Sequence, residues 1–462
     1  MSIGRAFAHL AHEAPDAVAF RCGDDVMTRR ELDLASNRVA HAWAGRMGHD
    51  DLVTIALPNG RDFVLACVAT WKLGATPQPL SPRLGAGERA AIVELARPSL
   101  VIDGPVDTCD DDSPLPDLAA SSWKAPTSSG STGRPKIVRA AASATVDPDR
   151  QVAPFVPRRA VQLVAGPLFH AAPFVYAMRG LMTGHELVVL PRFDPADALR
   201  AIDRHGVTWT MLVPTMMHRI WRLGQDVRAA HDVSSIESVL HMGARCAPWL
   251  KRSWIDWLGA DRVVEVYAGT ESQGVTMITG REWLERPGSV GRGISGSQFR
   301  VLRPDGTDAA PGESGEIVMR RDGPATYSYV GAEAVVRDGW HTLGDAGRID
   351  ADGYLWVDDR LDDAIVTGGV TVQPADVEAV LEEHPAVRSS VVVPRPDEAM
   401  GQIVHAVVDV AEADVEVVEL VEWARGRLDP EKAPRSWRLT RDPLRDDTGK
   451  VRRRAFREPT AP

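Results

Sequence analysis

From residue 52 onward the apolar positions follow two different periods. "LVTIAL" (52–57) is a short continuous run rich in β-branched residues, which predicts a buried strand. "GRDFVLACVATWKLG" (60–74) has helical spacing and stops on a glycine. Strand, helix and strand recur in "HELVVLP" (185–191), "DPADALRAIDRHG" (194–206) and "VTWTMLVP" (207–214). They recur again in "SIESVLHMGA" (235–244), "PWLKRSWIDWLG" (248–259) and "RVVEVYAG" (262–269). Repeated β-α-β order predicts parallel sheets covered by helices. After residue 297 the texture changes to "QFRVLRPDGTDAAPGESGEIVMR", strands punctuated by turns, which predicts an antiparallel hairpin element. A small unit follows, with "PADVEAVLEEHP" and "DVEVVELVEWARGRL" as helices between the strands "SSVVVP" and "VHAVVDV". The predicted fold is α/β: a large N-terminal domain over 1–361, with parallel sheets and a small β-barrel-like part, and an α+β C-terminal domain over 362–462. The acidic stretch "DGPVDTCDDDSPLPD" (103–117) reads as a surface loop.

Length agrees, since 462 residues exceed one ordinary core. A formal charge of −11 argues against nucleic acid as the main partner, and the basic run "KVRRRAFRE" is short enough to be a solvated end. The four cysteines form no CxxC pair, which speaks for a reducing cytoplasm and against structural zinc. The first twenty residues lack a signal-peptide design, and no apolar run reaches the roughly 18–20 residues of a membrane span. A cytoplasmic protein is expected. Of 53 basic residues only six are lysine: Lys72, Lys124, Lys136, Lys251, Lys432 and Lys450. Where arginine serves nearly everywhere, a remaining lysine is a candidate for a compact point charge. Lys136 and Lys450 stand in motif-like surroundings, and chance survival is open for the other four.

"PTSSGSTGRPKIV" (126–138) concentrates Ser, Thr and Gly ahead of Lys136, a composition that predicts loop rather than helix or buried strand. Glycines let backbone N–H groups approach an anion, hydroxyls add donors and the lysine adds charge. Composition alone leaves a phosphate loop and a flexible linker both open; the GxxxxGK spacing of a Walker loop is absent. "GRGISG" (291–296) fits GxGxxG, but it neither follows a strand pattern nor opens a helix, which argues against a dinucleotide site.

"TSSGSTGRPK" resembles the phosphate loop of the acyl-adenylate-forming superfamily of acyl-CoA synthetases, peptide-synthetase adenylation domains and luciferases. Four further segments match that family in order: "VYAGTES" (266–272), "GDAGRIDADGYLWVDDRLDD" (344–363), "IVTGGVTVQPADVE" (365–378) and "DDTGKVRRR" (446–454). The resemblance implies a ligase that converts a carboxylate and MgATP to acyl-AMP, rotates a mobile small domain and passes the acyl group to a thiol. It implies that Ser129, Gly130, Ser131, Thr132, Gly133 and Lys136 hold phosphates, that Thr270 contacts the α-phosphate and that Glu271 binds Mg²⁺. Tyr267 would stack on adenine beside Gly243 and Ala244, with Ala268 and Gly269 next to the nucleotide. Asp345 would hold the ribose with Arg360 beside it. Lys450 would bridge carboxylate and α-phosphate, Asp362 would be the hinge, and Gly368 and Gly369 would line a pantetheine tunnel.

"GPLFHAAPFVYAM" (166–178) resembles the family's acyl-pocket segment, with His170 as a gate near the reacting carboxylate and Phe174 in the pocket. The aspartate that amino-acid-activating members place there is absent, which points to an acid without an α-amine. With "VPTMMHRI" and "HMGARCAPWLKRSWIDWLG", the segment looks most like bacterial bile-acid-CoA ligases. Met216, Met217 and Met242 suit an irregular apolar pocket. The expected substrate is a polycyclic, terpenoid or steroid-like acid, with aryl and medium-chain acids as alternatives. The expected acceptor is free CoA, and a homodimer is open. Ala268 stands where the family has glycine, which opens a second reading: an enzyme that only thioesterifies a preformed acyl adenylate. Ile137 and Asp359 also replace usual glycines. A non-catalytic nucleotide-binding protein is the reading from another class.

Overall fold

The computed structural model describes residues 1–129, 135–410, 415–446, 449 and 451–457. Its largest layer is a nine-stranded sheet. The strands Val263–Ala268, Ser238–His241, Trp209–Leu212, Val161–Val164, Glu186–Val189 and Val18–Cys22 lie side by side and parallel. Antiparallel strands close both edges. A second parallel sheet joins Thr76–Pro79, Leu52–Ile55 and Leu100–Ile102. Strands Leu52–Ile55, Trp209–Leu212 and Ser238–His241 are buried at every position, so they read as continuous runs rather than alternations.

The helices stop where local chemistry stops them. Asp194 accepts from the backbone N–H groups of Ala196 and Asp197 at 2.9 and 3.0 Å, and Pro195 opens the helix with no N–H to satisfy. Gly206, at φ 60°, ends it in a left-handed cap.

The expected antiparallel element is a five-stranded sheet in which Ser297–Leu302 pairs Gly315–Arg321, and Trp340–Ile349 pairs Leu355–Arg360. The Ser/Gly-rich segment departs from the loop expectation at its ends. Thr127–Ser129 and Pro135–Ala140 form a hairpin, joined by Tyr327–Val330, because Ile137 and Val138 have core to pack against. Residues 103–117 carry neither helix nor strand, and the Asp112 backbone carbonyl accepts from Asn37 at 2.9 Å. No helix among the described residues is long and apolar enough to cross a membrane.

Residues from Ile365 onward build a separate core of Val377, Leu381, Val392, Val408 and Leu420 around the sheet Val387–Asp397, Gly401–Val410 and Ser436–Thr440. Polar contacts join it to the larger part. The Arg222 guanidinium donates to the carbonyls of Glu382, His384 and Pro385 at 3.0–3.2 Å, and Arg245 pairs with Asp376 at 2.6 Å.

The scarce lysines have structural work. Lys72 is buried against Asp33 and Asn37, both at 2.6 Å. Lys251, with no exposed surface, pairs at 2.5 Å with Glu265 in the middle of Val263–Ala268. Chance survival is therefore not the account of these two. Lys251→Met leaves a buried carboxylate unpaired and is expected to cost about 3–5 kcal/mol in urea unfolding, while Lys251→Met with Glu265→Leu recovers most of it. A double variant as unstable as the single would show that the pair matters through packing instead.

Candidate active site

A cleft of about 1950 Å³ separates the larger part from the smaller. That exceeds the roughly 300–1,000 Å³ of a single small-molecule pocket, so it has room for more than one ligand. The carboxyl ends of the parallel strands open onto it, the usual place for ligands in such sheets.

On one side lie the phosphate-loop and Tyr-Ala-Gly-Thr-Glu segments. Strand Val263–Ala268 carries Tyr267 and Ala268 to the cleft and then turns sharply through Gly269, Thr270 and Glu271. A Cβ at Gly269 would lie 2.5 Å from the Leu343 side chain and 2.7 Å from the Glu271 carboxylate, so a larger residue there would push both side chains aside. Lys136, on the hairpin strand, donates to Glu271 at 3.1 Å and to the Tyr329 hydroxyl at 2.7 Å, and Tyr329 donates to the same carboxylate oxygen. Burial works to raise the Glu271 pKa, but the Tyr329 hydrogen bond and the Lys136 charge outweigh it and hold it below its ordinary value. An ionised carboxylate therefore faces the cleft.

Asp345 and Arg360 stand opposite each other in the antiparallel register of their strands and pair at 3.0 Å. The Tyr267 hydroxyl donates to the other Asp345 oxygen at 2.6 Å. Burial, followed by the Asp345 charge, pushes the Tyr267 pKa well up, so the hydroxyl is a fixed donor that orients its ring. Gly243, at φ 92°, and Ala244 line the cleft nearby.

The side of the cleft where the acid is expected is formed by helix Ala171–Met182, with His170 at the position before its first turn, together with Met211, Val213, Met216 and Met242. The helix has two faces. Phe174, Ala177, Met178 and Leu181 enter the core, while Ala172, Val175, Tyr176 and Arg179 line the cleft. Phe174, expected in the pocket, is thus a core residue packed against Phe63, Trp71 and Trp123 with ring centroids 6.0–6.3 Å apart. Met217 is likewise fully buried in the core. Tyr176 takes the aromatic place on the cleft side, beside Phe155 and Trp209.

Gly130, Ser131, Thr132, Gly133 and Lys450 lie outside the described residues; Ser129 ends its strand beside the first four. Gly449 packs so tightly against the large part that a Cβ would lie 2.5 Å from the Thr215 hydroxyl. Asp362 sits in the 3-10 turn Leu361–Asp363, and its carbonyl accepts from Arg457 at 3.1 Å. Gly368 and Gly369 form the turn between Ile365–Thr367 and Val370–Val372, away from the cleft wall.

Comparison with known proteins places this geometry. The description "AMP-binding enzyme" matches residues 7–126 and 125–328, and its C-terminal domain matches 376–450. The chain belongs to the AMP-binding enzyme family. It is 31% identical to a feruloyl-CoA synthase from Amycolatopsis over 93% of each chain. It is 28% identical to a long-chain-fatty-acid–CoA ligase of Mycobacterium tuberculosis over 94% of this chain and 93% of that one. The o-succinylbenzoate-CoA synthetase of Bacillus subtilis, solved with its acyl-adenylate intermediate, superposes with a TM-score of 0.83 over 98% of both chains at 26% identity. Within the family the chain falls in the acyl-CoA synthetase branch: an ATP-dependent, AMP-forming carboxylate–CoA ligase that works with ATP, Mg²⁺ and CoA.

The cleft of this AMP-binding enzyme fits a magnesium ion carried in by a nucleotide. Among the described residues no three His, Cys, Asp or Glu side chains cluster as a metal cage, and Glu271 supplies one ionised hard-oxygen donor. A single carboxylate plus phosphate oxygens is how Mg²⁺ is commonly held.

Sequence reasoning missed two residues of the ligase's site, Tyr329 and Lys124. Lys124 is buried, lines the cleft and donates to the Thr270 carbonyl at 3.3 Å. Its rarity as a lysine was the available signal. Burial, then the like charge of Arg179, lower its pKa to about 8. Lys124 is therefore charged below about 8 and loses its charge above it. The kcat/KM for ATP, which reports the free enzyme, is expected to fall above about pH 8, and Lys124→Arg, which keeps its charge, should move that limb to higher pH. An unmoved limb would assign the titration to another group.

Proposed function

We propose that the enzyme activates a bulky polycyclic, terpenoid or steroid-like carboxylic acid and transfers it to CoA. The observation that carries this reading is the cleft face of helix Ala171–Met182. It offers two alanines, Val175 and Tyr176 opposite Met216 and Met242, and no carboxylate to pair with an α-ammonium group. Small residues opposite methionines leave width and an adaptable wall. The relatives' substrates, feruloyl, long-chain fatty and succinylbenzoate groups, have in common a carboxylate on a largely apolar body.

In the first step a carboxylate oxygen attacks the α-phosphorus and pyrophosphate leaves. The loop Ser129–Gly133 with Lys136 holds the β- and γ-phosphates, Thr270 the α-phosphate, and Glu271 the Mg²⁺. Bound Mg²⁺ supplies charge neutralisation on the phosphate oxygens. Tyr267 holds adenine beside Gly243 and Ala244, and Asp345 accepts from the ribose hydroxyls with Arg360 fixing its carboxylate. His170 stands at the entrance of the acyl side. Lys450 neutralises the charge shared by carboxylate and α-phosphate as they react, an interaction that is strongest in the transition state. The unit from 362 then turns about Asp362, bringing Gly368 and Gly369 to the pantetheine arm. The CoA sulfur attacks the acyl carbon, and AMP leaves.

Mass spectrometry of products from MgATP, CoA and a panel of polycyclic, aryl and fatty acids tests the substrate class. Polycyclic acyl-CoA products are expected, and turnover confined to unbranched fatty acids would overturn it. Lys450→Ala is expected to slow adenylate formation by about a hundredfold or more while sparing thioester formation from supplied acyl-AMP; equal losses would contradict its role. Ala268 ends its strand on the cleft wall. Ala268→Gly is expected to change pyrophosphate release by less than about threefold, whereas a gain near a hundredfold would mean that its methyl misplaces the reactants and that the enzyme depends on a supplied adenylate.

A further inference from the structure

The far end of the acyl side carries positive charge that the ligase reaction as described does not use. Arg179 belongs to the cleft face of helix Ala171–Met182, eight residues beyond Ala171. At 1.5 Å per residue that is about 12 Å from the His170 end, where the reacting carboxylate enters. Its guanidinium lies over the Trp123 ring at 5.2 Å, and the residue is exposed on the cleft wall. Arg321, at the end of strand Gly315–Arg321, and Arg150 line the same cleft.

Among the described residues, none of Arg150, Arg179 and Arg321 forms an ion pair. Arg321 has a weak contact of 3.4 Å from a terminal nitrogen to the Ser297 hydroxyl, and its buried Nε has no partner. The nearby carboxylates are otherwise committed. Glu271 is held by Lys136 and Tyr329, and Asp147, on the cleft wall, accepts from the Asp149 N–H at 3.1 Å. Burial, with Arg150 and Arg321 adding to it by like charge, lowers the Arg179 pKa. Charges of one sign gathered on one wall repel one another, and a bound anion would relieve that repulsion.

We infer that the acid substrate bears a second anionic group, a carboxylate or similar oxyanion, bound by Arg179 with Arg321 and Arg150 at the far end of the acyl site. This rests on the proposal that the helix Ala171–Met182 side of the cleft holds the acid. A planar guanidinium suits a carboxylate because it can donate two parallel hydrogen bonds. The nucleotide phosphates are the other source of anions, but their end of the cleft already has Lys136, held at Glu271 and Tyr329. The substrate class is thus narrowed from a bulky apolar acid to a bulky diacid whose acidic groups stand roughly 10–12 Å apart.

The test uses the full-length enzyme with a matched pair: a polycyclic monoacid and its analogue with a second carboxylate at that distance. Wild-type kcat/KM, read by pyrophosphate release, is expected to favour the diacid by about tenfold or more. Arg179→Met should remove most of that ratio, and Arg179→Lys should restore part of it. If Arg179→Met does not fold, the wild-type ratio alone decides. A monoacid used as well as the diacid would overturn the second-anion site and leave the polycyclic reading standing. Activity restricted to linear acids would overturn both. A raised KM for ATP in Arg179→Met, equal with either acid, would overturn the inference by assigning the cluster to the nucleotide phosphates.

Discussion

A carboxylate buried within a sheet is costly unless a cation is paired with it, and the strand that builds this active site contains such a carboxylate. Glu265 lies within Val263–Ala268, which is paired in parallel with Ser238–His241 on one side and antiparallel with Val275–Thr279 on the other. Lys251, from the helix Pro248–Leu258, neutralises it with no exposure to water. His241, 3.8 Å away, contributes no charge at neutral pH, because burial lowers its pKa to about 4. Glu265 stands in register with His241 on one neighbouring strand and Ile278 on the other. Two residues further on, Tyr267 reaches the cleft, and the turn through Gly269 delivers Glu271 beside Lys136.

The nucleotide side of the cleft repeats this way of handling charge. Lys136 with Glu271 and Arg360 with Asp345 join segments far apart in the chain, and tyrosine hydroxyls occupy oxygens left over. Groups already oriented need little rearrangement when charge develops, and such preorganisation is a large source of rate enhancement. The boundary with the small unit is different in kind. Its hydrogen bonds include those from Arg222 to three backbone carbonyls, and ion pairs join Arg245 to Asp376 and Arg452 to Glu88. Polar contacts of that sort can be exchanged for water at little cost, as the proposed turn of the small unit about Asp362 requires.

The layered architecture was legible because its signals are local. Continuous β-branched runs, helical spacing, the Asp194-Pro195 start and the Gly206 stop each act within a few residues, and the sheets and helices follow them. The motif segments were legible for the same reason, down to Gly269, where a Cβ would crowd the Leu343 and Glu271 side chains. The side proposed to hold the acid was only half legible. Spacing divides helix Ala171–Met182 into two faces, but both carry aromatic and apolar residues, so nothing local says which face meets the cleft. The packing of Phe174 against Trp71 and Trp123 decides it, and leaves Tyr176 and Arg179 on the open side.

By itself, then, the order of residues determined the elements, their parallel arrangement and the kind of chemistry this ligase performs. Only the tertiary structure decided that Lys251 neutralises Glu265, that Lys124 reaches Thr270, and that Arg150, Arg179 and Arg321 line one cavity with no ion pair to any of them among the described residues. The physical reason is range. Hydrophobic period and backbone capping depend on neighbours along the chain, whereas the state of a charge depends on which distant groups share its low-dielectric surroundings, and those are known only after the chain has folded.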